Sequence, residues 1–165
     1  MKANHYINSS VAGRLQPTVT PAEDYLAIYL NTGGEKRIRL IRAGYIPATG
    51  GTVTTAALRI GRIKVYTGRV VPSPGSLNLD PFSPNNPDPL GANFCLVDQV
   101  IRNEILLPFG DEGLVIPSGQ MATIIIGASV GEADSASAPS ASYGYLTVSG
   151  IEIVKGNRLI TNLNG

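Results

Sequence analysis

The chain carries one histidine, His5, and one cysteine, Cys95, so the side chains that most often do nucleophilic or acid–base chemistry occur once each. A nucleophilic triad needs a nucleophile, a base and an orienting group together. No Ser, Cys or carboxylate motif stands beside His5. One His with one Cys cannot complete a structural zinc site either. Cys95 lies between Phe94 and Leu96 and reads as a small buried hydrophobe; His5 reads as a terminal polar residue. Among the carboxylates, Asp111 and Glu112 sit in Gly-Asp-Glu-Gly and read as solvated turn acids, while Asp80 and Asp88 flank a proline-rich stretch. None follows the Asp-x-Asp-x-Asp-Gly spacing of a calcium loop. Gly33-Gly34 and Gly50-Gly51 lack the surroundings of a phosphate-binding loop. Arginines alternate along strand-like segments with few aromatics beside them and tryptophan is absent, a poor match to stacking platforms for single-stranded nucleic acid or sugars. The expectation is a protein without catalytic residues, cofactor or metal, and without nucleic acid, membrane or small-molecule substrate as partner.

The elements that would carry a binding surface are β-strands. No stretch holds a helical stripe of apolar residues over 11 or more positions, whereas period-two segments bounded by Gly, Pro and Asn recur throughout. Tyr25–Leu30 is a continuous apolar run ended by Asn31-Thr32-Gly33-Gly34. From Arg37, the alternation puts Ile38 and Leu40 on one face and Arg37 and Arg39 on the other, with a break of phase at Ile41-Arg42 that predicts a bulge or twist. Thr52 to Ile60 is rich in strand formers. Ile63 and Val65 then carry an apolar face, with Arg62 and Lys64 pointing outward and a flip of parity across Gly61. Further strands are predicted over 93–101, 104–109, 114–116, 121–130 and 143–154. Residues 72–93 hold six prolines, a density neither helix nor central strand tolerates. That segment reads as a stiff loop that either presents Leu79, Phe82 and Leu90 as a contact arm or covers an open end of its own core.

Composition narrows the class. At 165 residues the chain is one domain, able to bury roughly 70% of its unfolded surface. Charged residues make up 15% and apolar ones 43%, against about 25% charged in ordinary soluble domains, so part of the surface is expected to be covered by neighbours. No window approaches 18 consecutive apolar residues, and Met-Lys-Ala-Asn-His-Tyr lacks the apolar run of a secretory signal. Net charge is +1, yet the distribution is uneven. Residues 35–69 contain eight Lys and Arg against Glu35 alone, and residues 70–154 contain nine acids against Arg102 alone. These halves either balance within one subunit or form opposite patches on adjacent subunits, in which case Arg37 and Arg39 are contact residues.

Eight to ten short strands with near-regular turns predict an all-β, single-domain antiparallel β-sandwich or jelly roll. Its parts are an extended N-terminal arm (1–24), the sandwich (25–154) and a C-terminal tail (155–165). The arm is mostly polar and without sustained pattern. It reads as a segment pinned against partners through Tyr6, Ile7, Val11 and Leu15; the alternative is that it packs on its own domain.

The order of features resembles small jelly-roll virion structural proteins of tailed bacteriophages, of the capsid decoration or cement type. The resemblance rests on an apolar strand before an Arg-rich one (Ala27–Leu30, then Arg37–Ile46), Leu58-Arg59-Ile60, the Pro- and Asn-rich stretch from Asn78 to Leu90, Leu114-Val115-Ile116-Pro117-Ser118-Gly119, and Tyr145-Leu146-Thr147-Val148. It spans roughly residues 25–154. The Ile-Pro-Ser-Gly turn before an apolar strand is also similar to tumour-necrosis-factor-like jelly rolls. The phage resemblance implies a homo-oligomer, often a trimer, that clamps the major capsid protein of neighbouring capsomers within a virion, after synthesis in the host cytoplasm. It carries over no catalytic residues. The long proline-dense loop departs from the pattern and leaves the docking mode open. Two rivals stand beside this reading: a shell-forming minor capsid or head–tail protein, and a TNF-like or tail-tip module that recognises a receptor or glycan.

Overall fold

A computed structural model of the chain describes residues 2–15, 25–46, 61–68, 93–128 and 142–155. Every regular element among them is a strand: β1 (Lys2–Leu15), β2 (Tyr25–Leu30), β3 (Glu35–Ile46), β4 (Gly61–Gly68), β5 (Asn93–Ile101), β6 (Asn103–Pro108), β7 (Leu114–Ile116), β8 (Met121–Ala128) and β9 (Ser142–Lys155). No helix among the described residues is long and apolar enough to cross a membrane.

The strands form two antiparallel sheets. One has the order β1-β9-β3-β6, with β7 also pairing β3, and the other has the order β2-β8-β4-β5. Since β6 lies beside Leu40–Tyr45 and β7 beside Lys36–Ile38, these two act as one interrupted strand along the flank of β3. The pairings then nest from the outside in: β1 with β9, β2 with β8, β3 with β6 and β7, β4 with β5. Strands β1 to β4 fall alternately in the two sheets, and this nesting is the jelly roll expected from the sequence.

The core follows from alternation. Ile28, Leu30, Ile63, Val65, Ile124 and Ile126 face inward from the four-stranded sheet. Ile38, Ile41, Ala43, Tyr45, Leu146 and Val148 meet them from the five-stranded one. Burying each such isoleucine or leucine contributes roughly 1.5–3 kcal/mol. At one end of the sandwich Lys36 is buried with its ammonium donating to the carbonyls of Gly34 (3.3 Å) and Gln120 (3.2 Å). Burial pushes this ammonium down from its ordinary range, opposed by the charge of Glu152. The turn joining β6 to β7 needs glycine at Gly113, where φ is +72° and a Cβ would press on the backbone of Arg37 and Ile38.

The structure departs from the sequence reading in four places. Lys2–Leu15, read as part of an arm, is strand β1, paired along its whole length with β9. Its inward positions among the described side chains hold Ile7 and Val11 as large apolar groups, interleaved with Ser9 and Gly13, too weak a stripe to stand out in the sequence. The bulge in β3 lies between Ile38 and Leu40, not at Ile41-Arg42. The extra residue is Arg39, which lets Ile38 and Ile41, three apart, both face the core and turns Leu40 outward, 38% exposed. Cys95 is exposed rather than buried, its thiol donating to the Val97 carbonyl at 3.3 Å; a register shift between Val65 and Tyr66 takes it out of the inward phase. Strand β9 also reaches Lys155, one residue into the segment read as a tail. The strand expected over 52–60, the parity flip approaching Gly61, the proline-rich loop with Leu79, Phe82 and Leu90, and the 131–141 loop lie outside the described residues.

Candidate interaction surface on the five-stranded sheet

An antiparallel sheet with one face on the core usually turns polar side chains to water on the other. The five-stranded sheet turns out large apolar side chains among its polar ones. Five neighbouring rows of its outer face run from β1 through β9 and β3 towards the flank strands. They read Tyr6–Ile151–Arg37–Val115, Asn8–Ser149–Leu40–Pro108, Ser10–Thr147–Arg42–Leu106, Ala12–Tyr145–Gly44–Glu104 and Arg14–Tyr143–Ile46. Among the described residues, six of the eight large apolar ones that are exposed belong to these rows: Tyr6, Leu40, Ile46, Leu106, Val115 and Tyr143. Strands about 4.8 Å apart and residues about 3.3 Å apart give the grid a footprint of roughly 19 Å by 33 Å.

One polar cluster sits within the grid. The Tyr145 phenol donates to Glu104 Oε2, and Arg42 Nη2 donates to the same oxygen at 3.0 Å. Arg42 also lies over the Tyr145 ring, 5.8 Å from its centre. Close approach requires Gly44, since a Cβ there would collide with the Tyr145 ring. The hydrogen bond from Tyr145, and then that from Arg42, hold the Glu104 carboxyl below its ordinary range, and the bond to Glu104 pushes the Tyr145 phenol up. Arg37 is held similarly, by Glu35 and Glu112 at 2.9 Å each. On the other sheet Arg62 binds Asp98 through two nitrogens, at 2.5 and 2.8 Å. The basic 35–69 segment and the acidic 70–154 segment therefore meet within one subunit through Arg37–Glu112, Arg42–Glu104 and Arg62–Asp98.

The residues predicted as contacts divide. Tyr6, Ile7 and Arg39 come together with Asn8, Ser149, Gly150 and Ile151 around an open depression of about 410 Å³ beside the bulge. Tyr6 is 90% exposed on the outer face. Ile7 and Val11 face inward and pack against the core of their own domain, so they add little to the outer face. Leu15 ends β1. Arg37 is on the outer face, in the ion pairs just described. His5 is exposed in β1 opposite Glu152, and Glu112 is the turn acid bound to Arg37. Among the described residues no group of three or more His, Cys, Asp or Glu could hold a metal ion. Sequence reasoning missed Leu40, Ile46, Leu106, Val115 and Tyr143. A signal was present in Ile105-Leu106-Leu107, because consecutive apolar residues in a strand put apolar groups on both faces.

No protein-family model matches the chain, and no curated protein does. Among solved structures it is similar to the Yersinia pseudotuberculosis-derived mitogen (10% identity, TM-score 0.39, covering 94% of this chain and 92% of that one). The decameric BFDV capsid protein follows at 12% identity and TM-score 0.32, with 93% and 99% covered. A chain of Desmodium yellow mottle tymovirus follows at 9% identity and TM-score 0.27, with 94% and 87% covered. Likeness this slight bears on neither identity nor function.

Proposed function

We propose that this chain is a non-enzymatic virion structural protein of the capsid decoration type, acting by burying surface against other protein subunits. The observation that carries the reading is the outer face of the five-stranded sheet: a rigid, hydrogen-bonded backbone presenting Leu40, Ile46, Leu106, Val115 and Tyr143 to water. Apolar side chains held together in this way mark interaction surfaces. Three ionisable groups on that face fit the same reading, because Arg42 and Glu104 pair with each other and Arg37 pairs with Glu35 and Glu112. The low charged fraction of 15% and the sequence resemblance to phage decoration proteins add the virion setting. Repeated over a shell, interfaces of about 1,600 Å² each would add interaction free energy that heat or internal pressure must overcome.

Particles assembled with and without this protein test the proposal. Decorated particles are expected to resist heating better, by scanning calorimetry or genome release, while undecorated shells still form. Equal heat resistance would remove the decoration role. Failure of shells to assemble at all would favour a shell-forming subunit instead.

A further inference from the structure

We propose that Arg39, at the bulge of β3, anchors a carboxylate-binding site that takes an acidic side chain, flanked by apolar residues, from a partner protein. The inference rests on the reading of the five-stranded sheet's outer face as a binding surface and goes further by naming the chemistry recognised there.

Strand β3 turns three arginines outward, and two of them are neutralised within the chain. Arg37 is held by Glu35 and Glu112, and Arg42 by Glu104. Arg39, between them, is exposed and pairs with no carboxylate among the described residues. Its guanidinium is therefore left to attract an anion from outside. As the extra residue between Ile38 and Leu40, Arg39 stands apart from the regular outward rows, and bulges re-aim side chains in this way beside functional sites. Glycine at 150 lets β9 lie against the bulge, because a Cβ there would strike the Arg37 carbonyl.

Arg39 lines the open depression of about 410 Å³ together with Tyr6, Asn8, Ser149 and Ile151. Asn8 is the cross-strand partner of Ser149, and Tyr6 that of Ile151. The depression thus has one polar side, with an amide and a hydroxyl as donors, and one apolar side. One cation with two neutral donors matches the single charge of a carboxylate, which an arginine fork meets with two parallel hydrogen bonds. A phosphate carries nearly two charges and would leave one unmatched. The depression is too open to enclose a small molecule, whose sites bury most of the ligand. An acidic side chain projecting from a larger protein surface suits it, with the apolar neighbours of that side chain meeting Tyr6, Ile151 and Leu40.

NMR titration of the purified full chain with the blocked tripeptide acetyl-Leu-Asp-Leu-amide and its Asn counterpart tests the site. The Asp peptide is expected to bind roughly tenfold more tightly at low salt, to shift the amide signals of Asn8, Ser149 and Gly150, and to lose most of that margin in molar salt. Arg39→Gln should remove the preference and Arg39→Lys should keep part of it. Arg14→Gln, at the far corner of the same face, should leave it intact. Arg39→Gln retains the backbone carbonyl that accepts the Phe109 amide at 2.9 Å; should it still not fold, the wild-type peptide pair and salt series decide alone. Equal or undetectable binding of the two peptides, a preference that survives in a folded Arg39→Gln chain, or inorganic phosphate bound more tightly than the Asp peptide would each overturn the inference. Self-association of the wild type that Arg39→Gln abolishes would overturn it too, since the occupant would then be a second copy. Failure of these titrations leaves the heat resistance of decorated particles, and so the proposed function, untouched. Equal heat resistance with and without the protein would remove that function and leave the site.

Discussion

Ile125 and Leu106 both point away from the sandwich core, one from each sheet, yet Ile125 is fully buried and Leu106 is 54% exposed. On the four-stranded sheet the outward apolar groups are already covered, with Ile125 and Tyr66 packed against Tyr25 and Ala27 in a cluster of their own. Burial there, helped by a hydrogen bond involving Tyr25, lifts the Tyr29 phenol to about 12. The five-stranded sheet has a comparable outward apolar set without such cover. One outer face thus belongs to the stability of the chain and the other is left open to water, although alternation along the strands looks much alike in both.

The sharpest way to break this comparison is truncation on each side. Ile125→Ala is expected to cost about 2–5 kcal/mol in denaturant unfolding, the range for emptying a packed site. Leu106→Ala should stay within about 0.5 kcal/mol at concentrations where the chain is dissociated. Equal losses would erase the distinction between the faces. Next in size, Gly44→Val should cost about 1–3 kcal/mol by displacing the Tyr145 ring. The double variant Gly44→Val, Tyr145→Ala is expected to lose less than the sum of the two singles, and strict additivity would show that the ring does not lie over Gly44.

Smaller effects follow from titration. Tyr29 ionises at about 12 in the folded chain against its ordinary 10.0. The unfolded chain gives up the proton first, so the contribution is complete below pH 10.0 and disappears as pH rises through about 12. Absorbance at alkaline pH should show a late tyrosine phase that Tyr25→Phe moves earlier; no phase responding to Tyr25→Phe would contradict burial of this face. On the exposed side, the Glu104 carboxyl titrates below its ordinary value. Its contribution is present above that ordinary value and is lost as pH falls through the depressed one. NMR titration should show Tyr145→Phe raising it, and an unmoved midpoint would remove Tyr145 as the main cause.

Much of the fold was readable in the residues, because period-two runs such as Arg62–Val65 and Tyr145–Val148 carry their own facing. The jelly-roll class followed from the number and spacing of those runs. The sequence reading failed where facing depends on one inserted residue. Arg39 reverses the phase of β3 and sends Leu40 outward, and nothing in Arg-Ile-Arg-Leu-Ile-Arg marks which residue is extra. Cys95 failed for the same reason, at the register shift opposite Val65 and Tyr66. Strand β1 was hidden because its hydrogen bonds to β9 organise it more than its two inward apolar side chains do. Arg37 was rightly read as outward, but its partners Glu35 and Glu112 are brought together by register and by a turn, which residue types alone do not disclose.

The pairing of β1 with β9 also bears on how the molecule comes into being. Lys2 aligns with Lys155 and Leu15 with Ser142, so among the described strands the first in chain order has its hydrogen-bonding neighbour in the last. β2 waits similarly for β8. During synthesis the four-stranded sheet cannot be finished until β8 has left the ribosome, nor the five-stranded one until β9 has, and contacts this distant along the chain are slow to form. A nascent chain therefore carries an unpaired β1 edge until β9 is made, and unpaired edges of this kind are where partly folded chains aggregate.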